Sequence, residues 1–150
     1  MTDTTTDTTA DTGPSPAIQL IANVVVTDGD GHVLLARYDP SAELDDGDAD
    51  ARWWLPAHEL VAYEHPDDAA RLALDRIGGL HVDTVALARV QSFRGRRGWH
   101  VSFDYAATAS GQPSGSVPAR WFPLDDLPPT MHGNWERDTI DGVAASRAER

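Results

Sequence analysis

The pattern of apolar and polar residues along the chain predicts strands separated by turns. Residues 18–26 form a nearly continuous apolar run rich in β-branched side chains, which is typical of a buried strand. A second apolar run at 32–37 follows a glycine-rich turn at 28–31, so the two runs predict a hairpin. Further strands are predicted at 82–90, 99–107 and 120–124.

One segment predicts a helix with defined ends. Pro66 suits the first helical turn, because the amide hydrogen that proline lacks would have no partner there. Asp67 and Asp68 place negative charge at the positive end of the helix dipole. The pair Gly78 and Gly79 ends the helix where a left-handed residue is favoured. The stripe expected to face the core consists of Ala70, Leu74 and Ile77.

The order of these elements predicts the fold class and the domain organisation. A second helix is predicted from about Trp135 to the C-terminus. Strands, a helix, more strands and a closing helix indicate an α/β or α+β fold layered around a mixed sheet. Residues 1–17 are rich in Thr and Asp and too polar to offset the entropy lost on ordering. We therefore expect a disordered tail at 1–17 and a single domain at 18–150.

Composition excludes several functions. The formal charge of -12 disfavours nucleic-acid binding, because phosphate backbones would be repelled. No stretch reaches the roughly eighteen apolar residues of a membrane span, and residues 1–17 lack the basic start and apolar core of a signal peptide. We therefore expect a cytoplasmic protein without a membrane or nucleic-acid partner. Lys and Cys are both absent, which excludes Schiff-base lysines, thiolate catalysis, disulfides and Cys-ligated zinc.

Residues 54–80 resemble the Nudix box, the signature of Mg-dependent diphosphate hydrolases. The family pattern is Gly, five residues, Glu, seven residues, then Arg-Glu-aliphatic-x-Glu-Glu-x-Gly-aliphatic. Residues 31–37 also resemble the family phrase Gly-x-Val-Leu-Leu-x-Arg, and 120–128 resemble its late segment ending Trp-Phe-x-x-x-x-Leu-Pro. The resemblance implies the family's α/β/α sandwich over residues 18–145. The residues at the positions of the box are His58, Glu64, Leu72, Ala73, Leu74, Arg76, Ile77, Gly79 and Leu80.

The resemblance implies Mg as a cofactor, but the residues that would hold it are missing. In the family, three glutamates on one helix face supply the metal ligands. The corresponding positions hold Ala73, Arg76 and Ile77, and a frame shifted by one residue places only Asp75 on a ligand position. We therefore expect no metal site, no cofactor and no standard Mg-dependent hydrolysis.

Polar residues around the helix leave a catalytic role open. The candidates are His58, Glu59, Glu64 and Asp75. The motif His-Glu-x-x-His of zinc proteases is excluded, because Ala62 occupies the position of its second His. An acid–base pair, a weak metal site and a polar surface loop all remain compatible with this cluster.

Cationic and aromatic residues form the candidate binding set, which consists of Arg37, Trp54, Arg76, Arg94, Arg96 and Arg97. Arg76 stands where the family holds its cation, so its guanidinium would bind a diphosphate or carboxylate with paired hydrogen bonds. The alternative is a surface ion pair with Asp75. The basic turn at 94–97 is either a second anion site or a solubilising turn, and tryptophans suit either ligand stacking or core packing.

Three hypotheses follow from these residues. In the first, the chain keeps the Nudix fold, lacks standard hydrolysis and binds a nucleotide-like or other anionic small molecule. In the second, it is a divergent Nudix hydrolase that cleaves a nucleoside diphosphate derivative or a related substrate. In the third, it is a protein-interaction module. A homodimer is compatible with each of them.

Overall fold

A computed structural model of the chain describes residues 18–38, 53–95 and 98–148. Within these ranges, six strands form one sheet and two helices pack against it. The predicted tail at 1–17 and the candidate residues Arg96 and Arg97 lie outside the described residues. The strands are β1 (Ile18–Thr27), β2 (His32–Ala36), β3 (Ala57–Glu59), β4 (Leu80–Gly95), β5 (Gly98–Gly111) and β6 (Ala119–Pro123), and the helices are α1 (Pro66–Ile77) and α2 (Trp135–Ala148).

The sheet is mixed and has β1 near its centre. Its strand order is β4-β5-β1-β2-β6, and β3 pairs with the middle of β1. β1 runs parallel to β5, with Ile18 opposite Trp99, whereas the other pairs are antiparallel. The apolar sequence of β1 fits this position at residues 22–26, which are buried because the sheet is covered on both faces there, whereas residues 18–21 are partly exposed.

The two helices cover opposite faces of the sheet. Successive side chains of a strand point to opposite faces, and along β1 Val24 packs into the cluster beneath α1 while Val25 packs into the cluster beneath α2. α1 buries Ala70, Leu74 and Ile77, the stripe predicted from the sequence. α2 buries Ile140 and Val143. The predicted α/β/α layering around a mixed sheet is confirmed.

Local sequence defines the ends of α1. Pro66 lies in its first turn, and His65 precedes it as the N-cap, with Nδ1 accepting a hydrogen bond from the Asp67 amide at 3.0 Å. At the other end, the Gly78 amide donates to the Leu74 carbonyl, and Gly78 has a φ of 64°. Glycine adopts this left-handed conformation without the steric cost that a Cβ would add.

The hairpin between β1 and β2 is closed by an aspartate. Asp28 Oδ1 accepts hydrogen bonds from the amides of Asp30 at 2.8 Å and His32 at 2.9 Å. Desolvation raises the pKa of Asp28, but these amide hydrogen bonds and the neighbouring His32 outweigh that effect and lower it. This turn sets the path into β2, whose C-terminal end leads to Arg37.

β4 and β5 are longer than the apolar pattern predicts. Residues 108–111, which lie beyond the predicted strand at 99–107, continue β5, because they pair with the start of β4. The register between β4 and β5 shifts after Val82 and after Leu87. Each shift interrupts the period-two alternation on which strand prediction depends.

No described helix has the length and apolarity needed to cross a membrane.

Candidate functional site

The resemblance to the Nudix box implies metal ligands at three positions of α1, which hold Ala73, Arg76 and Ile77. Ala73 and Ile77 are fully buried in the core between α1 and the sheet. Arg76, between them, is exposed in the last turn of the helix. Mg requires oxygen ligands, and neither a methyl group, a butyl group nor a guanidinium supplies one. These residues do not fit the ion, and no catalytic step through it follows from them.

No other metal-binding cluster appears in the described ranges. Within residues 18–38, 53–95 and 98–148, no three His, Asp or Glu side chains lie close enough to hold a metal ion together. Of the candidate carboxylates, Glu64 and Asp75 are also far apart. Glu64 precedes the helix, whereas Asp75 lies about 14 Å along the helix axis from Pro66, at 1.5 Å per residue.

Two of the four catalytic candidates lie in contact. His58 Nε2 is 3.3 Å from Glu64 Oε1, and both side chains are mostly buried. Glu64 Oε1 also accepts the amide hydrogen of Val61 at 3.0 Å. The carboxylate therefore ties together the loop that leads into α1. Glu59 on β3 and Asp75 on α1 are exposed and lie outside this contact.

A cavity of about 270 Å³ lies where β2, β6 and the loop between β5 and β6 meet. Ligand pockets start at roughly 300 Å³, so this cavity suits a compact ligand or the charged part of a larger one. We call it the arginine pocket, after Arg37 and Arg120. Its lining consists of Arg37, Trp53, Pro113, Ser114, Gly115, Val117, Pro118, Ala119 and Arg120.

Strand pairing brings the two arginines to one side of the sheet. Arg120 on β6 is opposite Leu35 on β2, and the Arg37 amide donates to the Pro118 carbonyl at 2.9 Å. Leu35 and Arg37 are two residues apart and share a face. Arg37 and Arg120 are therefore diagonal neighbours across the strands, a geometry in which long side chains reach each other.

Trp53 holds both guanidinium groups. The bridge between Ala36 and Trp54 places Trp53 beside the end of β2. The ring centroid of Trp53 lies 5.7 Å from the guanidinium carbon of Arg37 and 5.6 Å from that of Arg120. Phe122 packs edge-on against the same indole, with centroids 4.9 Å apart. These contacts fix two cations on one aromatic ring.

The charge of the two pocket arginines is not balanced within the described residues. Among the described residues, no carboxylate lies within ion-pair distance of Arg37 or Arg120. Arg89, in contrast, forms an ion pair with Asp104. Arg37 Nε is buried and meets no acceptor in the same ranges. Since buried donors are normally hydrogen-bonded, this nitrogen requires an acceptor from outside these ranges.

The pocket wall formed by residues 112–118 is anchored on α1. The Gly115 amide donates to the Ile77 carbonyl at 2.5 Å, and the Val117 amide donates to the Arg76 carbonyl at 3.2 Å. A Cβ at position 115 would lie 2.5 Å from the Arg76 carbonyl oxygen. Only glycine allows this approach, which connects the pocket to the helix of the Nudix-like box.

The remaining candidate binding residues lie outside the lining of the pocket. Arg76 lies near Tyr38, and its positive charge affects the pKa of the phenol. Burial raises the pKa of Tyr38, while the hydrogen bond from the Ala57 amide and the charge of Arg76 oppose that rise. Trp54 stacks edge-on against Tyr38 and His132. Arg94 is exposed on β4, opposite Trp99 on β5.

The second arginine and the tryptophan of the pocket are not among the candidates that the sequence indicates. Trp53 and Arg120 line it together with the predicted Arg37. The available signal was the alternation of side chains: Arg120 is two residues before Phe122, so both face the same side of β6. The sequence does not reveal that β6 pairs with β2, and this pairing brings Arg120 to Arg37.

No protein-family sequence model matches the chain, and no curated protein sequence matches it. Its structure, however, is similar to solved structures of Nudix proteins. A MutT NUDIX hydrolase from Burkholderia pseudomallei is 22% identical, with a TM-score of 0.65 over 85% of this chain and 98% of that one. A UDP-X diphosphatase is 15% identical, with a TM-score of 0.68 over 94% of this chain and 68% of that one. A NUDIX hydrolase from Nitrosomonas europaea is 13% identical, with a TM-score of 0.65 over 86% and 90%. The chain therefore has the fold of the Nudix hydrolases, as the resemblance of residues 54–80 implied.

Proposed function

We propose that this Nudix-fold chain binds a phosphate-bearing small molecule of nucleotide-like type in the arginine pocket, without the Mg-dependent hydrolysis typical of the fold. The observation that carries the proposal is the convergence of Arg37 and Arg120 on Trp53. Two neighbouring guanidinium groups repel each other, and an anion bound between them would offset this repulsion. A diphosphate offers several oxygens that match the paired donors of a guanidinium.

The role of Trp53 in this proposal is to position the cations. Its indole already contacts both guanidinium groups and Phe122, so binding rests on the phosphate rather than on stacking of a base against this ring. A cavity of about 270 Å³ accommodates the charged part of a nucleotide and leaves the rest at its mouth. We therefore expect affinity to depend mainly on the number of phosphate groups.

The buried Ala73 and Ile77 support the absence of standard hydrolysis. A carboxylate at either position would be desolvated in an apolar core, which is costly without a partner. Their side chains instead join α1 to the sheet. We infer that this helix serves the stability of the fold and supports the wall of the pocket.

An activity panel combined with binding tests the proposal. Nucleoside diphosphates and their sugar derivatives are incubated with the protein, with and without Mg or Mn, and formation of the nucleoside monophosphate, the product common to both classes, is measured by anion-exchange chromatography. We expect no turnover above that of a heat-inactivated sample. Thermal unfolding with each compound then reports binding, because a ligand of the native state raises the apparent stability. Metal-dependent turnover would contradict the proposed loss of hydrolysis, and the absence of any thermal shift would contradict binding.

A divergent hydrolase is the second candidate, and the contact of His58 with Glu64 favours it. A His beside a carboxylate is a common acid–base pair. If this pair is catalytic, the panel shows turnover that is lost in Glu64→Gln and retained in Glu59→Gln, because Glu59 is exposed and outside the contact.

A further inference from the structure

One part of the sheet is apolar and exposed, on the same face as α1. α1 packs over the second half of β1 and of β5, where Val24 and Tyr105 are buried. Towards the starts of these strands, four side chains remain exposed: Ile18 by 51%, Leu20 by 37%, Val90 by 52% and Trp99 by 46%. Contiguous apolar surface of this kind marks interaction sites. We call this region the uncovered face.

Strand register shows that these side chains are neighbours. Ile18 on β1 is opposite Trp99 on β5, and Leu20 is opposite Val101. On the other side of β5, Val90 of β4 is opposite Phe103. Trp99 Nε1 donates to Ser92 Oγ at 2.6 Å, so its indole lies over β4 and its polar edge has a partner.

The loop after β3 extends the uncovered face at its side. The Leu60 amide donates to the Leu20 carbonyl at 2.8 Å, so this loop begins beside β1. It exposes Val61 and Tyr63, and Tyr63 has a φ of 69°. A left-handed non-glycine residue is strained. Exposed tyrosines are also frequent in protein interfaces.

The ends of the uncovered face carry opposite charge. At one end, the Tyr105 hydroxyl donates to Asp67 at 2.5 Å, and Asp68 follows at the start of α1. At the other end, Arg94 is opposite Trp99. Tyr105 and Trp99 are six residues apart on β5, which corresponds to about 20 Å. The face therefore has an acidic end and a basic end.

From these observations we propose that the uncovered face binds the same face of a second copy of the chain. A two-fold axis through its middle places Arg94 of each copy against Asp67 and Asp68 of the other. Such an interface is self-complementary in charge and apolar at its centre. The segments outside the described structure do not match this surface: residues 1–17 contain no Val, Leu, Ile or Phe, and residues 39–52 contain only Leu44. The proposal is independent of ligand binding.

Sedimentation velocity of the full chain tests this dimer over protein concentrations of about 1 to 300 µM, the range in which modest interfaces dissociate. We expect reversible, concentration-dependent dimerisation. Arg94→Glu and Asp68→Arg each bring like charges together and should weaken the dimer by about tenfold or more. The double variant Arg94→Glu/Asp68→Arg restores opposite charges and should recover much of the lost affinity.

Asp141→Arg on α2 is the matched control, because Asp141 is exposed on the helix that covers the opposite face of the sheet. It makes the same change in net charge as Asp68→Arg and should leave dimerisation close to that of the wild type. Circular dichroism verifies that each variant is folded. A wild type that stays monomeric throughout would overturn the proposal. It would also be overturned by a dimer that neither single substitution weakens, or by a double variant no better than the single ones.

Discussion

The amide of Gly115 donates a hydrogen bond to the carbonyl of Ile77 at 2.5 Å, which joins the wall of the arginine pocket to the end of α1. The resemblance to the Nudix box implies a metal ligand at Ile77, yet the side chain of Ile77 is buried in the core. The end of the helix therefore contributes a backbone acceptor that holds the wall of the pocket.

Gly115→Ala should disturb this junction. The added Cβ would lie 2.5 Å from the Arg76 carbonyl oxygen and 2.6 Å from that of Ile77. Relief requires the loop to move away from α1, and overpacking of this kind costs about 1–3 kcal/mol. Urea unfolding should show the loss in stability, accompanied by weaker anion binding. Gly29→Ala is the control, since a Cβ there meets no described atom within 4 Å. Equal stability of both variants would contradict the role of Gly115.

The alkaline limit of stability should depend on Tyr105. Burial raises the pKa of Tyr105, and its hydrogen bond to Asp67 raises it further. Because the folded state holds this proton more tightly than the unfolded state, whose tyrosine pKa is about 10, the contribution is complete below that pH. It is lost as the pH rises above about 10 towards the folded pKa. Urea midpoints from pH 8 to 11 should fall for the wild type and fall less for Tyr105→Phe. Parallel curves for the two proteins would contradict this assignment.

Glu64→Gln tests whether the carboxylate of Glu64 stabilises the fold. The substitution weakens the contact with His58 and the hydrogen bond from the Val61 amide, so a loss of about 1 kcal/mol is expected. Chemical denaturation measures it, with Glu59→Gln as the exposed control. Anion binding should be unchanged in both variants, because neither residue lines the arginine pocket. A selective loss of binding in Glu64→Gln would assign this carboxylate to the ligand site.

The elements that sequence reasoning predicted well are those with local signals. The limits of α1 follow from Pro66 and from Gly78, whose positive φ ends the helix. The hairpin after β1 follows from its glycine-rich turn, in which Asp28 accepts two amide hydrogens. Each of these signals lies within a few residues of the feature that it predicts.

The arginine pocket depends instead on contacts between distant segments. Arg37, Trp53 and Arg120 come from three segments joined by the pairing of β2 with β6 and by the bridge of Ala36 to Trp54. A single sequence carries no direct signal for such pairings. The sequence therefore indicates Arg37 only through its place in a family-like phrase. It favours Trp54 as a binding residue, whereas the tryptophan that lines the cavity is Trp53.

The central claim is that Arg37 and Arg120 form an anion site, and isothermal titration with ADP and with inorganic pyrophosphate tests it most directly. The variants are Arg37→Gln and Arg120→Gln, with Arg76→Gln as the matched control, since Arg76 is exposed and does not line the pocket. A hydrogen bond to a charged group contributes about 1.5–3 kcal/mol, so each pocket variant should bind roughly tenfold more weakly or worse. We predict that Arg76→Gln binds each compound with the affinity of the wild type. Arg37→Gln and Arg120→Gln should bind each compound more weakly by the factor given above. Unchanged binding in the two pocket variants, or a loss confined to Arg76→Gln, would contradict the account.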